Sequence, residues 1–263
     1  MNRSIESFLA FISSALNIHI EKASSESDIL EIISKFRPYN SGHKLIRMGP
    51  DGDGGYLVPD DLANIEACFS PGVGEFYQFE LDCLNRGMKV FLADKSVENP
   101  SVEGLSFIPK FLGVKNDENH VTLENWVAMQ SSIEESSDLL LQMDIEGGEY
   151  QTMLGVPTAL LNRFRIIVLE VHWLNKIWST SFGQIVNALL DKLNENHTCI
   201  HIHPNNYLNP IKRSGIIIPK ALEVTFIRND RLLKREKVES LQHVLDQDNS
   251  NRKTMELSEH WNA

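Results

Sequence analysis

From residue 67 to residue 228 the chain alternates short apolar runs with amphipathic stretches, and few architectures accept that pattern. The runs Ala67–Ser70, Lys89–Ala93, Ser106–Val114, Leu139–Met143, Ile166–His172, Thr198–His203 and Leu222–Arg228 have the length of strands. Helical spacing fills most of the gaps, over Glu75–Arg86, Leu123–Gln130, Tyr150–Phe164 (broken at Gly155 and Pro157) and Phe182–Glu195. Strand and helix in alternation mean parallel strands joined by crossovers, with helices on both faces of one sheet. Leu139-Leu140-Leu141 and Ile166-Ile167-Val168-Leu169 are apolar without interruption, as central strands covered on both sides must be. The expectation is an α/β fold.

The flanks read differently. In residues 1–40, Ile5, Phe8, Leu9, Ile12 and Leu16 repeat at helical spacing, as do Ile29, Ile32, Ile33 and Phe36, and Pro38 stops the second run. Forty residues bury little alone, so this region is expected to be a helical cap on a main domain spanning 41–230. Residues 231–263 are expected to form a short helix over Lys237–Asp246 and a mobile polar tail.

The chain has 263 residues, 42% of them hydrophobic, which is ordinary for a protein with a full core. Its formal charge of −11, with no dense basic patch, argues against nucleic acid as a partner. Three cysteines with no CxxC spacing fit free thiols in a reducing, cytoplasmic setting and exclude a disulfide scaffold. No apolar run is long enough to span a membrane. The apolar N-terminal helix could pack on its own domain or on a second copy, and the expectation leans to a homodimer.

Four stretches carry chemistry at expected strand ends. Ser70-Pro71-Gly72-Val73-Gly74 follows a strand and opens a helix, and glycines there let backbone approach a ligand. Asp94 ends the next strand, where a carboxylate reaches ribose hydroxyls. The third glycine of the dinucleotide pattern is missing, which favours a smaller nucleoside such as S-adenosylmethionine over a pyrophosphate. Asp144-Ile145-Glu146-Gly147-Gly148-Glu149 sets three carboxylates where open sheets bind ligands, suiting a sulfonium or a divalent metal. Glu149 there is accounted for by the N-terminus of the following helix alone. Glu170 with His172, and His201 with His203, lie on common strand faces. A fifth stretch, Gly49–Leu57, fits neither a calcium loop nor a phosphate loop and reads as a turn.

Taken together, Asp51–Leu62, Phe69–Glu80, Phe91–Glu98, Leu139–Leu154, Arg163–Leu174, His201–Asn206 and Leu222–Arg228 resemble the FkbM-type family of S-adenosylmethionine-dependent methyltransferases. The resemblance runs from about residue 45 to 230. It implies a class I methyltransferase fold of seven strands, the last antiparallel and inserted near the edge. It implies that Ser70, Pro71, Gly72 and Gly74 lie against the methionine part of the cofactor, Asp94 on the ribose and Ser96 near the adenine. Asp144 would face the sulfonium, and Gly55 and Tyr56 would close over the cofactor. The commoner first box has an acidic residue and three glycines where this chain has Ser70, Gly72 and Gly74.

A sugar hydroxyl is a weak nucleophile and needs a base or a metal. His172 is the first candidate for the base and His203 the second, with Glu146 orienting either. A metal is permitted but not favoured; its ligands would be Asp144, Glu170 and His172. The expected activity is O-methylation of a sugar, polysaccharide precursor or related metabolite. The competing readings are an NAD-dependent oxidoreductase, disfavoured by the missing glycine, and a non-catalytic carbohydrate-binding module.

Overall fold

A computed structural model describes all residues except 1, 2, 19, 75, 76 and 263, and all side chains except those of these residues and of 3–7. Its central sheet has seven strands: β1 (Ile65–Pro71), β2 (Lys89–Ala93), β3 (Leu105–Ile108), β4 (Asp138–Met143), β5 (Phe164–Val171), β6 (His197–Pro204) and β7 (Leu222–Arg228). They pair in the order β3-β2-β1-β4-β5-β7-β6. The first five are parallel, while β7 runs antiparallel between β5 and β6. The helices are α1 (Arg3–Leu16), α2 (Glu26–Lys35), α3 (Gln78–Asn85), α4 (Leu123–Ala128), α5 (Glu149–Gly155), α6 (Thr158–Leu161) and α7 (Thr180–Asn196). Glu75 and Phe76, expected to open α3, lie outside the described residues, as does the side chain of Ile5.

Strand alternation sorts the apolar side chains into two cores. Phe69, Phe91, Leu139, Leu141, Ile167 and Leu169 pack on one face, and Cys68, Val90, Leu92, Leu140, Ile166 and Val168 on the other. The uninterrupted apolar runs are thus covered on both sides, as their composition requires. The expected single strand Ser106–Val114 is interrupted: β3 ends at Ile108, and Phe111–Leu112 forms a separate short strand. Pro109 stands at the break, where it offers no N–H to a ladder.

α2 starts at a reciprocal capping box between Ser25 and Asp28 and buries Ile29, Ile32 and Ile33 in the first core. α1 instead leaves Phe8, Phe11 and Leu16 exposed. An antiparallel pair, Leu45–Met48 with Tyr56–Pro59, packs near β5 and β7, where Thr225 Oγ1 donates to Leu57 O. Cys68, Cys83 and Cys199 are free and buried. Among the described residues no helix is long and apolar enough to cross a membrane.

The C-terminal segment departs from expectation. Lys237 ends a two-residue strand, Glu236–Lys237, paired with Tyr39–Asn40, and residues 238–246 form turns and bends rather than a helix. The polar stretch beyond is tied down: Asn206 and Ser250 exchange hydrogen bonds, and Asn249 Nδ2 donates to Glu223 Oε1 (2.6 Å) and Asp53 Oδ1 (3.1 Å). Trp261 anchors it, 0% exposed, with its ring 5.9 Å from Phe36 and its Nε1 donating to Ile217 O (2.9 Å). One large ring supplies what periodicity does not.

Candidate active site

The C-terminal ends of β1, β2, β4, β5 and β6 open on one rim, and the turns that leave them interlock. Gly72 N donates to Ala93 O (3.1 Å), and Asp144 N donates to Pro71 O (3.3 Å). Gly72 has φ +86°, and a Cβ there would stand 1.5 Å from Asp144 O, so only glycine fits between the two turns. Gly74 has open space where a Cβ would project. Beside it lies a cavity of about 240 Å³ lined by Asp53, Gly54, Tyr56, Gly72, Val73, Gly74, Phe79, Glu80, Gln142 and Asp144. A second cleft, about 510 Å³, shares Asp53 and Asp144 and adds Glu146, Glu170, His172, Asn205, Tyr207, Leu208, Lys220 and Ala221.

The expected cofactor residues separate on inspection. Gly72, Gly74, Tyr56 and Asp144 line the smaller cavity. Asp94 follows Ala93 at the end of β2; its Oδ1 accepts from Ser96 N and Ser96 Oγ (2.6 Å each), leaving Oδ2 without a partner among the described residues. Pro71 is held inside β1, paired with Ala93. Gly55 does not line the cavity; a Cβ there would meet Pro50 O at 2.1 Å and Arg47 at 2.5 Å. Ser70 is fully buried and does not line it either. Its Oγ meets Glu80 Oε1 (2.5 Å) and Gln142 Oε1 (2.6 Å) instead. A hydroxyl has one proton to give, so Ser70 donates to only one of the two at a time. Burial pushes the Glu80 carboxyl above its ordinary range. Glu80, in the first turn of α3, thus sets a carboxyl against the end of β1, and no local spacing marks it.

His172 is the hub of the larger cleft. Its Nδ1 donates to Glu149 Oε1 (3.0 Å), and that oxygen also accepts from Ile145 N and Gly147 N (3.1 Å each). Glu149 is 0% exposed, so its part goes well beyond favouring the N-terminus of α5. The bond fixes the imidazole tautomer and leaves Nε2 facing Glu146 Oε2 (3.5 Å), Asp144 Oδ1 (3.7 Å) and Glu170 Oε1 (3.9 Å). Burial alone would push the imidazole down, but the Glu149 hydrogen bond and the Glu170 charge outweigh it and hold His172 well above the ordinary histidine value. Burial first, then the Glu170 charge, push Asp144 up. Glu146 and Trp173 flank this corner with φ +54° and +56°, a left-handed backbone costing about 1–2 kcal/mol each. Across the sheet, Glu170 pairs with Glu223 and Glu223 with His203, one row along the rim.

His203 belongs elsewhere. It lies outside the lining of the His172 cleft and faces Asp246 (Nδ1 to Oδ2, 3.8 Å), which also pairs with His201 (Nε2 to Oδ1, 2.9 Å). His203 and Asp246 border a cavity of about 660 Å³ under the C-terminal segment. Sequence reasoning missed Asp53, Glu80, Gln142, Asn205 and Tyr207 as lining residues; Asp53, Glu80, Gln142 and Asn205 lie inside the boxes that carry the family resemblance.

The residues fit the cofactor that the boxes imply. Gly74 leaves open the space that a Cβ would enter beside the smaller cavity, and Asp94 Oδ2 stays without a partner among the described residues at the end of β2. A search of curated proteins finds no match to this chain. Residues 73–197, just under half of the chain and carrying Asp94, Asp144, Glu149, Glu170 and His172, match the family described as the methyltransferase FkbM domain.

Proposed function

We propose that the protein is an S-adenosylmethionine-dependent O-methyltransferase whose acceptor is a hydroxyl of a sugar, polysaccharide precursor or related polyhydroxylated metabolite. The observation that carries this reading is the sharing of Asp53 and Asp144 by two adjoining cavities. In it, the amino-acid end of the cofactor occupies the smaller cavity under Gly72–Gly74, its ribose meets Asp94, and the acceptor enters the larger cleft. When bound, the cofactor supplies a methyl group on cationic sulfur; the oxygen–carbon bond forms as the carbon–sulfur bond breaks, and its electron pair stays on sulfur.

The larger cleft suits an uncharged polyol. Asp53, Glu146, Glu170 and Asn205 offer oxygen acceptors to hydroxyl donors, and the exposed Tyr207 offers an aromatic face for a sugar ring. Lys220 and His172 are outnumbered by the carboxylates of Asp53, Asp144, Glu146 and Glu170 among its described lining residues, which disfavours a phosphorylated group at this point. Holding the oxygen and the methyl about 3 Å apart can supply roughly 7–11 kcal/mol of the barrier. The proton leaves the acceptor at the His172–carboxylate corner.

Calorimetric titration with S-adenosylmethionine and with NAD tests the cofactor, and an acceptor screen with a labelled methyl donor tests the substrate. Asp94→Ala is expected to weaken cofactor binding, and His172→Ala to lower turnover while leaving cofactor affinity largely intact. Binding of NAD without S-adenosylmethionine would overturn the reading.

A further inference from the structure

The geometry points to a hard divalent cation, of the magnesium or manganese type, bound at the corner formed by Asp144, Glu149 and His172. What the cation does rests on the methyl-transfer reading; whether it binds does not. Asp144, Glu149 and His172 each bring one donor atom into a group whose members lie within 4.8 Å of one another. Around Nε2 the distances are those of ligands gathered on an ion rather than of hydrogen bonds. Nε2 stands 3.5, 3.7 and 3.9 Å from oxygens of Glu146, Asp144 and Glu170. Atoms bound about 2.1 Å from one magnesium-sized ion stand roughly 3–4 Å apart, so the observed separations leave room for it between them.

Two further features mark the corner as built for a ligand. Glu149 is 0% exposed, yet its Oε2 has no hydrogen-bond partner, and Asp144 Oδ1 is likewise buried and unpartnered. An unpaired buried carboxylate oxygen is costly unless something cationic completes it. The other Glu149 oxygen holds His172 Nδ1, the arrangement by which a carboxylate orients a metal-binding imidazole. Two carboxylates and no thiol favour a hard ion over a soft one, and the imidazole moves the choice from magnesium towards manganese.

This assigns His172 Nε2 a ligand's place instead of the base's. The cation meets the acceptor hydroxyl from the 510 Å³ cleft and lowers its pKa. The proton passes to the carboxylate of Glu146, which is 87% exposed and can release it to water. The O–H bond breaks, the O–CH3 bond forms, and sulfur keeps the pair from the broken C–S bond.

The test is a Mn2+ titration of the chelator-stripped full-length protein, followed by electron paramagnetic resonance of the free ion, with Mg2+ and Ca2+ as competitors. One Mn2+ per chain is expected, with Kd of about 10⁻⁵ M or tighter. Asp144→Asn should abolish it, and Glu149→Gln should weaken it about 10–100-fold. If those variants melt, bound Mn2+ in the wild type must still broaden the His172 ring resonance, identified by its loss in His172→Asn. No binding of Mn2+, Mg2+ or Ca2+ at millimolar concentration, or binding that spares that resonance, overturns the proposal. S-adenosylmethionine bound in chelator by a chain with no metal affinity sinks only the cation; metal affinity without cofactor binding sinks the methyl-transfer reading instead.

Discussion

Replacing Trp261 by alanine asks whether the C-terminal segment is a structural strap. The side chain is fully buried, packs on Phe36 and donates to Ile217 O. Deleting a buried aromatic ring costs about 3–5 kcal/mol, because its neighbours close the cavity only in part. Against a typical total of about 5–15 kcal/mol, that is a large share of the stability. At roughly 2–4 °C per kcal/mol for a chain of this size, the melting temperature should fall by about 6–20 °C. Trp261→Phe keeps most of the packing and loses mainly the hydrogen bond, so it should cost only about 1–2 kcal/mol. Circular dichroism melts and urea midpoints measure both. Limited proteolysis adds a local readout: cleavage between residues 232 and 260 should accelerate, since Asn249 and Ser250 hold this stretch through a few hydrogen bonds. If Trp261→Ala melts within 2 °C of the parent and resists protease equally, the strap reasoning fails.

Other expectations concern the rim and its supports. Gly72→Ala should lose both cofactor binding and stability, by calorimetry and melting, whereas Gly74→Ala should melt within about 0.5 kcal/mol of the parent because its Cβ meets nothing. Burial lowers the His197 pKa from 6.5 to about 4, so the fold prefers the neutral ring. Stability should therefore be full above pH 6.5 and fall as pH drops towards 4, by about 3 kcal/mol, and His197→Asn should flatten that stretch of a pH–denaturation series. Arg165, buried, binds Asp138 Oδ2 and the carbonyls of Asp61 and Ala63. Arg165→Met should cost about 3 kcal/mol in urea unfolding, the lower end for a broken buried pair because Arg228 also holds Asp138.

What the sequence made legible depended on how local the cause was. Lys89–Ala93 and Leu222–Arg228 have the same limits as strands as in the apolar pattern, because burial on a sheet face leaves a mark on each residue. Asp144, Glu170 and His172 were readable as rim residues because each sits at or just past a strand end. Glu149 was not, since its partner arrives from the next strand over the Gly147 turn at φ +104°. Glu80 has no signal apart from its contact with Ser70 ten residues earlier. His203 holds a strand-end position like that of His172, yet Asp246, from a stretch with no periodicity, draws it away from the cleft. Trp261 looked isolated in a polar tail because the core it fills is made by residues more than forty positions distant.

The place of β7 bears on how the protein is born. Residues 222–228 wedge between two strands made earlier, β5 and β6, with hydrogen bonds to both. Until that piece leaves the ribosome, each neighbour has a bare edge, and the row from Glu170 to His203 lacks its middle member, Glu223. The rim can ripen only when synthesis is almost over, so a nascent chain stalled before residue 222 should present the amino-terminal strands without a working site.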